Sequence, residues 1–233
     1  GKQSVDRNPG NAAILQSYLG LRARYILESK QWEKIPLSSA PAGATAAGAT
    51  PAAGAAPAAT PNMPGMPAAT DNASRYNANG SWVFIAGYSA AKMGDAATAD
   101  QAAAQLHAMA DRTAAGGNAY AAKPFAIMEK EVSAAAAGAR GQKDGAVKLA
   151  KEAADIEATM SAPSGPPDPM KPAIELYGET LLDAGQPALA AAAFEKSLQR
   201  TPNRTDSVKG LAQANAKSGT LSHLAASGFF ASL

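Results

Sequence analysis

Apolar residues recur at helical spacing along most of this chain, and the stripes are separated by short turns. Ile14, Tyr18, Leu21, Tyr25 and Leu27 lie on one side of a helix predicted over Asn11–Ser29, with Asn11 as its N-cap after Pro9-Gly10. Gln31–Lys34, with Trp32, begins a second helix that Pro36 ends, so residues 1–36 are expected to form a first helical hairpin. From Asn79 to Ala114 the pattern resumes. Ser81 is expected to cap a helix carrying Trp82, Val83, Ala86, Gly87 and Ala90. Gly94-Asp95 makes a turn, and Ala99, Ala103 and Leu106 stripe the next helix. A third unit runs from Tyr120 to Met160, with Pro124 starting or kinking its first helix. Gly141–Asp144 is its turn, and Ala146, Leu149, Ala150, Ala153 and Ile156 form its second stripe. Thr205–Gly219 is a further first helix, and Thr220–Leu233 closes the chain.

The stretch Lys171–Arg204, KPAIELYGETLLDAGQPALAAAAFEKSLQRTPNR, is 34 residues long and carries the densest pattern. Ile174, Tyr177, Gly178 and Leu181 share a face of one helix; Ala190, Phe194 and Leu198 share a face of the next. Gly178 and Ala190 are small where two helix axes must approach, and Phe194 fills the space they leave. Gly185 suits the left-handed C-cap, Pro187 the first helical turn, and Pro202 the exit. With Gly178, Gly185, Ala190, Phe194 and Pro202 in register, the stretch resembles one tetratricopeptide repeat. Asn118–Gly219, above all KDGAVKLAKEAADIEATM and GLAQANAKSG, resembles the C-terminal part of larger bacterial tetratricopeptide-repeat proteins, and RARYILESKQWEKIPL resembles their preceding hairpin. The resemblance implies upstream repeats and an export signal in the relatives, and no assigned activity. Turn glycines Gly94, Gly141, Gly185 and Gly219 are 47, 44 and 34 residues apart, so the period is uneven. The expected fold is all-α: an irregular, right-handed, tetratricopeptide-like solenoid of about four helical hairpins, filling residues 79–233 after the first hairpin.

Composition changes this picture at one place. Residues 37–78 form a linker or arm of Ala, Pro, Gly and Thr, with six prolines between Ser38 and Thr70 and no charge between Lys34 and Asp71. Such a tract is either a flexible insertion or a segment laid on a neighbouring surface. Thr45, Thr50, Thr60 and Thr70 are candidate O-glycan acceptors. Asn72 and Asn79 head accessible sequons, and Asn203 heads a third. Elsewhere the composition mostly excludes. Net charge is +2, which leaves no nucleic-acid footprint, and no apolar run reaches the length of a membrane span. Without cysteine, thiol catalysis, disulfides and zinc–cysteine sites are excluded. The first residue is Gly1, which points to a processed product or a fragment.

Candidate chemistry is sparse. No HExxH, GxSxG or glycine-rich phosphate loop occurs. His107 and Asp111 are placed to pair across one turn on a surface. Glu152 and Asp155, beside Lys148 and Lys151, read as a salt-bridged face. Lys196, Arg200 and Arg204 form a basic cluster that could clamp a peptide carboxylate. No catalytic, metal or cofactor residues are assigned, and an enzyme is not expected. The expected partners are proteins: a peptide in the groove, or copies of the chain meeting head to tail through Tyr18 and Trp32 at one end and Phe229, Phe230 and Leu233 at the other. An extracytoplasmic scaffold is the leading expectation, and a glycosylated extracellular filament subunit the alternative.

Overall fold

The computed structural model describes residues 2–7, 12–37 and 78–226. These form helices α1 (Lys2–Arg7), α2 (Ala12–Ser29), α3 (Ala78–Lys92), α4 (Ala96–Ala115), α5 (Ala119–Ala139), α6 (Lys143–Ala158), α7 (Ala173–Asp183), α8 (Pro187–Arg200) and α9 (Thr205–Ala226). There is no strand among the described residues. From α3 onward each helix packs against the next in chain order, and α3, the first helix of its hairpin, also packs on α5.

Helices α3, α4, α5 and α7 stop in the same way. Gly94, Gly117, Gly141 and Gly185 take φ of +84°, +86°, +74° and +78°. In each case the following residue donates its N–H five residues back: Asp95 to Ala90, Asn118 to Thr113, Gln142 to Ala137 and Gln186 to Leu181. This is the glycine stop that reverses a helix within three residues while satisfying its last carbonyls. Restarts are capped where the sequence allows. Asp95 accepts from the Thr98 N–H at 3.0 Å, and Asn118 from that of Ala121 at 3.0 Å.

Alanine-rich helices bury little area per residue, so they gain stability by approaching closely. At Gly87 an added Cβ would lie against the Ala102 methyl of α4 and 2.8 Å from Val132 Cγ1 of α5. At Gly178 it would lie 2.9 Å from the Phe194 ring, which also fills the space at Gly210 of α9. Gly178 and Ala190 are thus small for the expected reason, and Phe194 is fully buried between α7 and α9.

Three expectations are corrected. Residues 31–36 are not helical: Pro36 cannot donate to a helix, and the backbone of Glu33 is engaged elsewhere, as described below. The second helix expected after α2 is therefore not formed. Ser81 is not a cap, because α3 begins three residues earlier at Ala78. Gly219 does not make a turn but continues α9 to Ala226. A lone glycine costs a helix only about 1 kcal/mol against alanine, and no proline or capping acid follows it. Asn11, Phe229, Phe230, Leu233, Thr45, Thr50, Thr60, Thr70, Asn72 and most of the 37–78 tract lie outside the described residues.

The close approach at Gly87 is testable. Gly87→Ala is expected to destabilise by about 1–3 kcal/mol through overpacking, more than its gain in helix propensity. Gly20→Ala, in α2 with nothing within 4 Å of the new methyl, is expected to stabilise by about 0.5–1 kcal/mol. Urea midpoints of the two variants against the parent should move in opposite directions.

Candidate functional site

The first helices of the successive hairpins, α3, α5, α7 and α9, line one side of the stack. A cleft of about 310 Å³ runs between α3, α5 and α7, and another of about 430 Å³ between α3, α7 and α9. Both are lined by Lys92, Glu179 and Asp183, so the two adjoin at these side chains and together groove this side of the stack.

The chain's own Leu27, Lys30 and Trp32 form one wall of the wider cleft. Beyond α2 the backbone leaves the helix at Lys30, with φ of +56°, and runs non-helically from Gln31 to Pro36. Its centre is gripped by Ser89 of α3, a residue with no exposure. The Glu33 N–H donates to Ser89 Oγ at 2.9 Å, and Ser89 Oγ–H donates to the Glu33 carbonyl at 2.8 Å. Trp32 meets the Tyr88 ring edge-on at 5.7 Å, and Ile35 is buried in the same core as Val83, Phe84 and Tyr88. Arg22 of α2 ties the run back by donating to Glu33 at 2.6 Å, and within α2 it also donates to the Tyr18 hydroxyl at 3.1 Å. Residues 12–37 thus form a braced module. With it in place, every residue of α3 from Val83 to Ala91 is buried, on all sides of the helix.

Below the module lies a buried ion network. Glu175 of α7 has no exposure. It accepts from Arg204 Nε at 2.8 and 3.0 Å, from Ser207 Oγ at 2.7 Å and from Lys171 Nζ at 3.3 Å. Lys171, 4% exposed, also reaches Glu179 at 2.9 Å. Arg204 extends to Glu28 of α2 at 3.0 Å, and Lys30 pairs with Asp206 at 3.2 Å. Burial alone would lower the Lys171 ammonium, but Glu179, Tyr88 and Glu175 hold it above its ordinary value. Arg204 is raised likewise, burial being outweighed by Glu175 and Glu28. Oxygens of Glu175, Glu179 and Asp206 approach within 4.8 Å of one another, as metal ligands would. Lys171, Arg204 and Lys30 already supply the compensating charge, so the cluster works as an ion-paired joint between α2, α7 and α9.

Two further carboxyls are buried beside it. Glu157 of α6 accepts the Ile174 N–H at 2.8 Å, capping α7 from another helix. Burial raises it, and this bond, with Arg200, opposes the rise. Glu131 of α5 has 0% exposure, and neither of its oxygens has a hydrogen-bond partner. Burial pushes it well above the usual value of 4.5. Lys171 counteracts this, while Glu157, Glu179 and Glu175 reinforce it.

The sequence-derived candidates fall apart spatially. Trp32 is not a free end surface, because it packs half-buried on α3. Tyr18 is half-buried beside Arg22. His107 and Asp111 pair at 3.4 Å in the open. Lys151 pairs with Asp155, and Glu152 with Lys130, as a salt-bridged surface. Lys196, Arg200 and Arg204 do not make a clamp. Arg204 is committed to Glu175 and Glu28, Arg200 donates to the Met160 and Ser161 carbonyls, and Lys196 is exposed. Asn79 lies in the first turn of α3. The sequence reading missed Ser89, Glu28, Lys171, Glu175, Glu179 and Glu131. The spacing of Lys171, Glu175 and Glu179 at i, i+4 and i+8 was the one local signal for them.

Glu131 gives a pH prediction. Its folded pKa exceeds its unfolded one, so the folded state keeps a proton that the unfolded chain releases. Stability is therefore lost as pH rises above about 4.5 towards the folded value. Glu131→Met removes this term. It is expected to stabilise by roughly 1–3 kcal/mol at pH 7–8 and by little at pH 4.5, read as chemical-denaturation midpoints across pH.

Comparison of the chain with protein-family models, with curated proteins and with solved structures finds no match.

Proposed function

We propose that this protein is a non-catalytic helical-repeat scaffold, tetratricopeptide-like in design, that binds protein segments along the groove of its first helices. The observation that carries the reading is the grip of Ser89 on the Glu33 backbone. A serine that pairs with both the N–H and the carbonyl of a non-helical residue recognises a peptide backbone, whatever the side chain. The apolar anchors Trp32 and Ile35 then select sequence at positions three apart. The rest of the groove, beside Lys92, Glu179 and Asp183, stays open to a longer segment.

A second reading is an extracytoplasmic filament subunit, carrying glycans on the threonines of its tract, in which the bound protein is another copy. It is favoured by the outer face of α2, where Leu21 and Tyr25 are 68% and 61% exposed. Paired apolar side chains left open on a helix suit burial against a neighbour.

The groove reading is tested with a labelled peptide of the sequence of residues 29–37, SKQWEKIPL. It is titrated by fluorescence anisotropy into the full chain and into a Trp32→Ala, Ile35→Ala chain whose own segment is loosened. The tethered segment competes, so saturable binding is expected to be at least tenfold tighter to the loosened chain. Ser89→Ala added to the loosened chain is expected to weaken it again. Absence of saturable binding to either chain, with helical circular dichroism intact, excludes the reading.

A further inference from the structure

The module of residues 12–37 meets the body of residues 78–226 only through non-covalent contacts, and is joined to it by one covalent connection, the forty residues 38–77. We propose that the module is exchangeable: it docks on the groove of a second copy of the chain through the same residues that dock it on its own. This rests on the groove reading and names the partner.

Three observations lead there. The module completes the core of the body, since Phe84, Ile85 and Tyr88 of α3, with at most 1% exposure, share one core with Ala23, Ile26, Leu27 and Ile35. An unoccupied groove therefore exposes apolar surface and must be filled by some copy of the module. The docking face is also specific in charge. Glu28 meets Arg204 and Lys30 meets Asp206, an acid–base and a base–acid pair side by side, which fix the module's direction on α9. And the connection does not dictate which body a module fills. Forty residues can reach at most about 130–145 Å, well beyond the length of any helix described.

Exchange keeps the described contacts between module and body, so the equilibrium is set by protein concentration against the effective concentration of the tether. A tether favours its own body by its effective concentration, millimolar for short linkers and falling with length. A dilute chain is then closed on itself. A crowded one passes its module to a neighbour, giving reciprocal pairs or, where each copy fills the next, an open chain of copies.

The absence of cysteine makes the test clean. Full-length Glu33→Cys and Ser89→Cys chains, one bearing a mass tag, are mixed over a range of concentrations and oxidised. A mixed disulfide between the two variants is expected, its yield rising at least tenfold from micromolar to near-millimolar protein and exceeding same-variant disulfides. The double variant in one chain is expected to close internally at low concentration. In parallel, Lys30→Glu chains are mixed with Asp206→Lys chains. Each repels its own module at that pair, and exchange restores opposite charges at both docking faces. Native mass spectrometry of an equimolar mixture is expected to show heterodimers outnumbering the two homodimers together by several-fold, where random pairing gives equal numbers. No mixed disulfide above the same-variant background, together with a statistical distribution of the charge variants, overturns exchange. That result leaves the groove reading standing if the free peptide binds. Conversely, mixed disulfides without peptide binding place the recognition in α2 and not in the 31–37 run.

Discussion

The structure depends on neutralising one carboxylate that has no access to water. Glu175 sits at the junction of α7 and α9, and an ionised group there is tolerable only if charge and hydrogen bonds surround it. Lys171, Arg204 and Ser207 supply them from before α7, from the turn ahead of α9 and from α9 itself. Taking away one partner of such a group costs about 3–5 kcal/mol, so the three segments are held in one geometry. That geometry also aims Arg204 at Glu28, which is how the neutralisation of Glu175 between α7 and α9 reaches α2.

The groove follows from the same arrangement. Close helix approach at Gly87 and at Gly178 brings the first helices of the hairpins side by side and leaves a channel along them. Helix α3, buried all round from Val83 to Ala91 and apolar there except for Ser89, cannot line that channel exposed, and the 31–37 run packs on it. Ser89 then solves a problem that apolar cover creates: Glu33 has backbone groups to satisfy away from a helix, and a buried hydroxyl needs partners of its own. Each satisfies the other.

Local order was legible in the sequence. The stripes around Phe194 and the stops at Gly94, Gly141 and Gly185 act within one or two turns of helix, and period and glycine reveal them directly. Gly219 misled because glycine marks a stop only when the chain beyond it abandons the helix, and here alanines and leucines carry it on. Gln31–Lys34 misled because a helix-forming composition was overridden by the tertiary bond to Ser89, 56 residues away. The site was mostly illegible for that reason. Glu28 and Arg204, or Glu33 and Ser89, share no period, and only folding makes them neighbours. Glu131 is a different failure: its sequence context resembles that of any surface glutamate, and only the helices closing on three sides reveal its burial.

The pairing of Glu28 with Arg204 spans 176 residues, and this sets an order of events at birth. At about 5–20 residues per second, roughly 10–35 s separate the synthesis of the two. Throughout that interval α2 is complete while the arginine that anchors it does not yet exist, and Ala23, Ile26 and Leu27 have no finished surface to rest on. Contacts of such long range form late and slowly. Of the two partners, the one made earlier therefore waits for the later one, and the docking of α2 is completed only after the body has closed around Glu175.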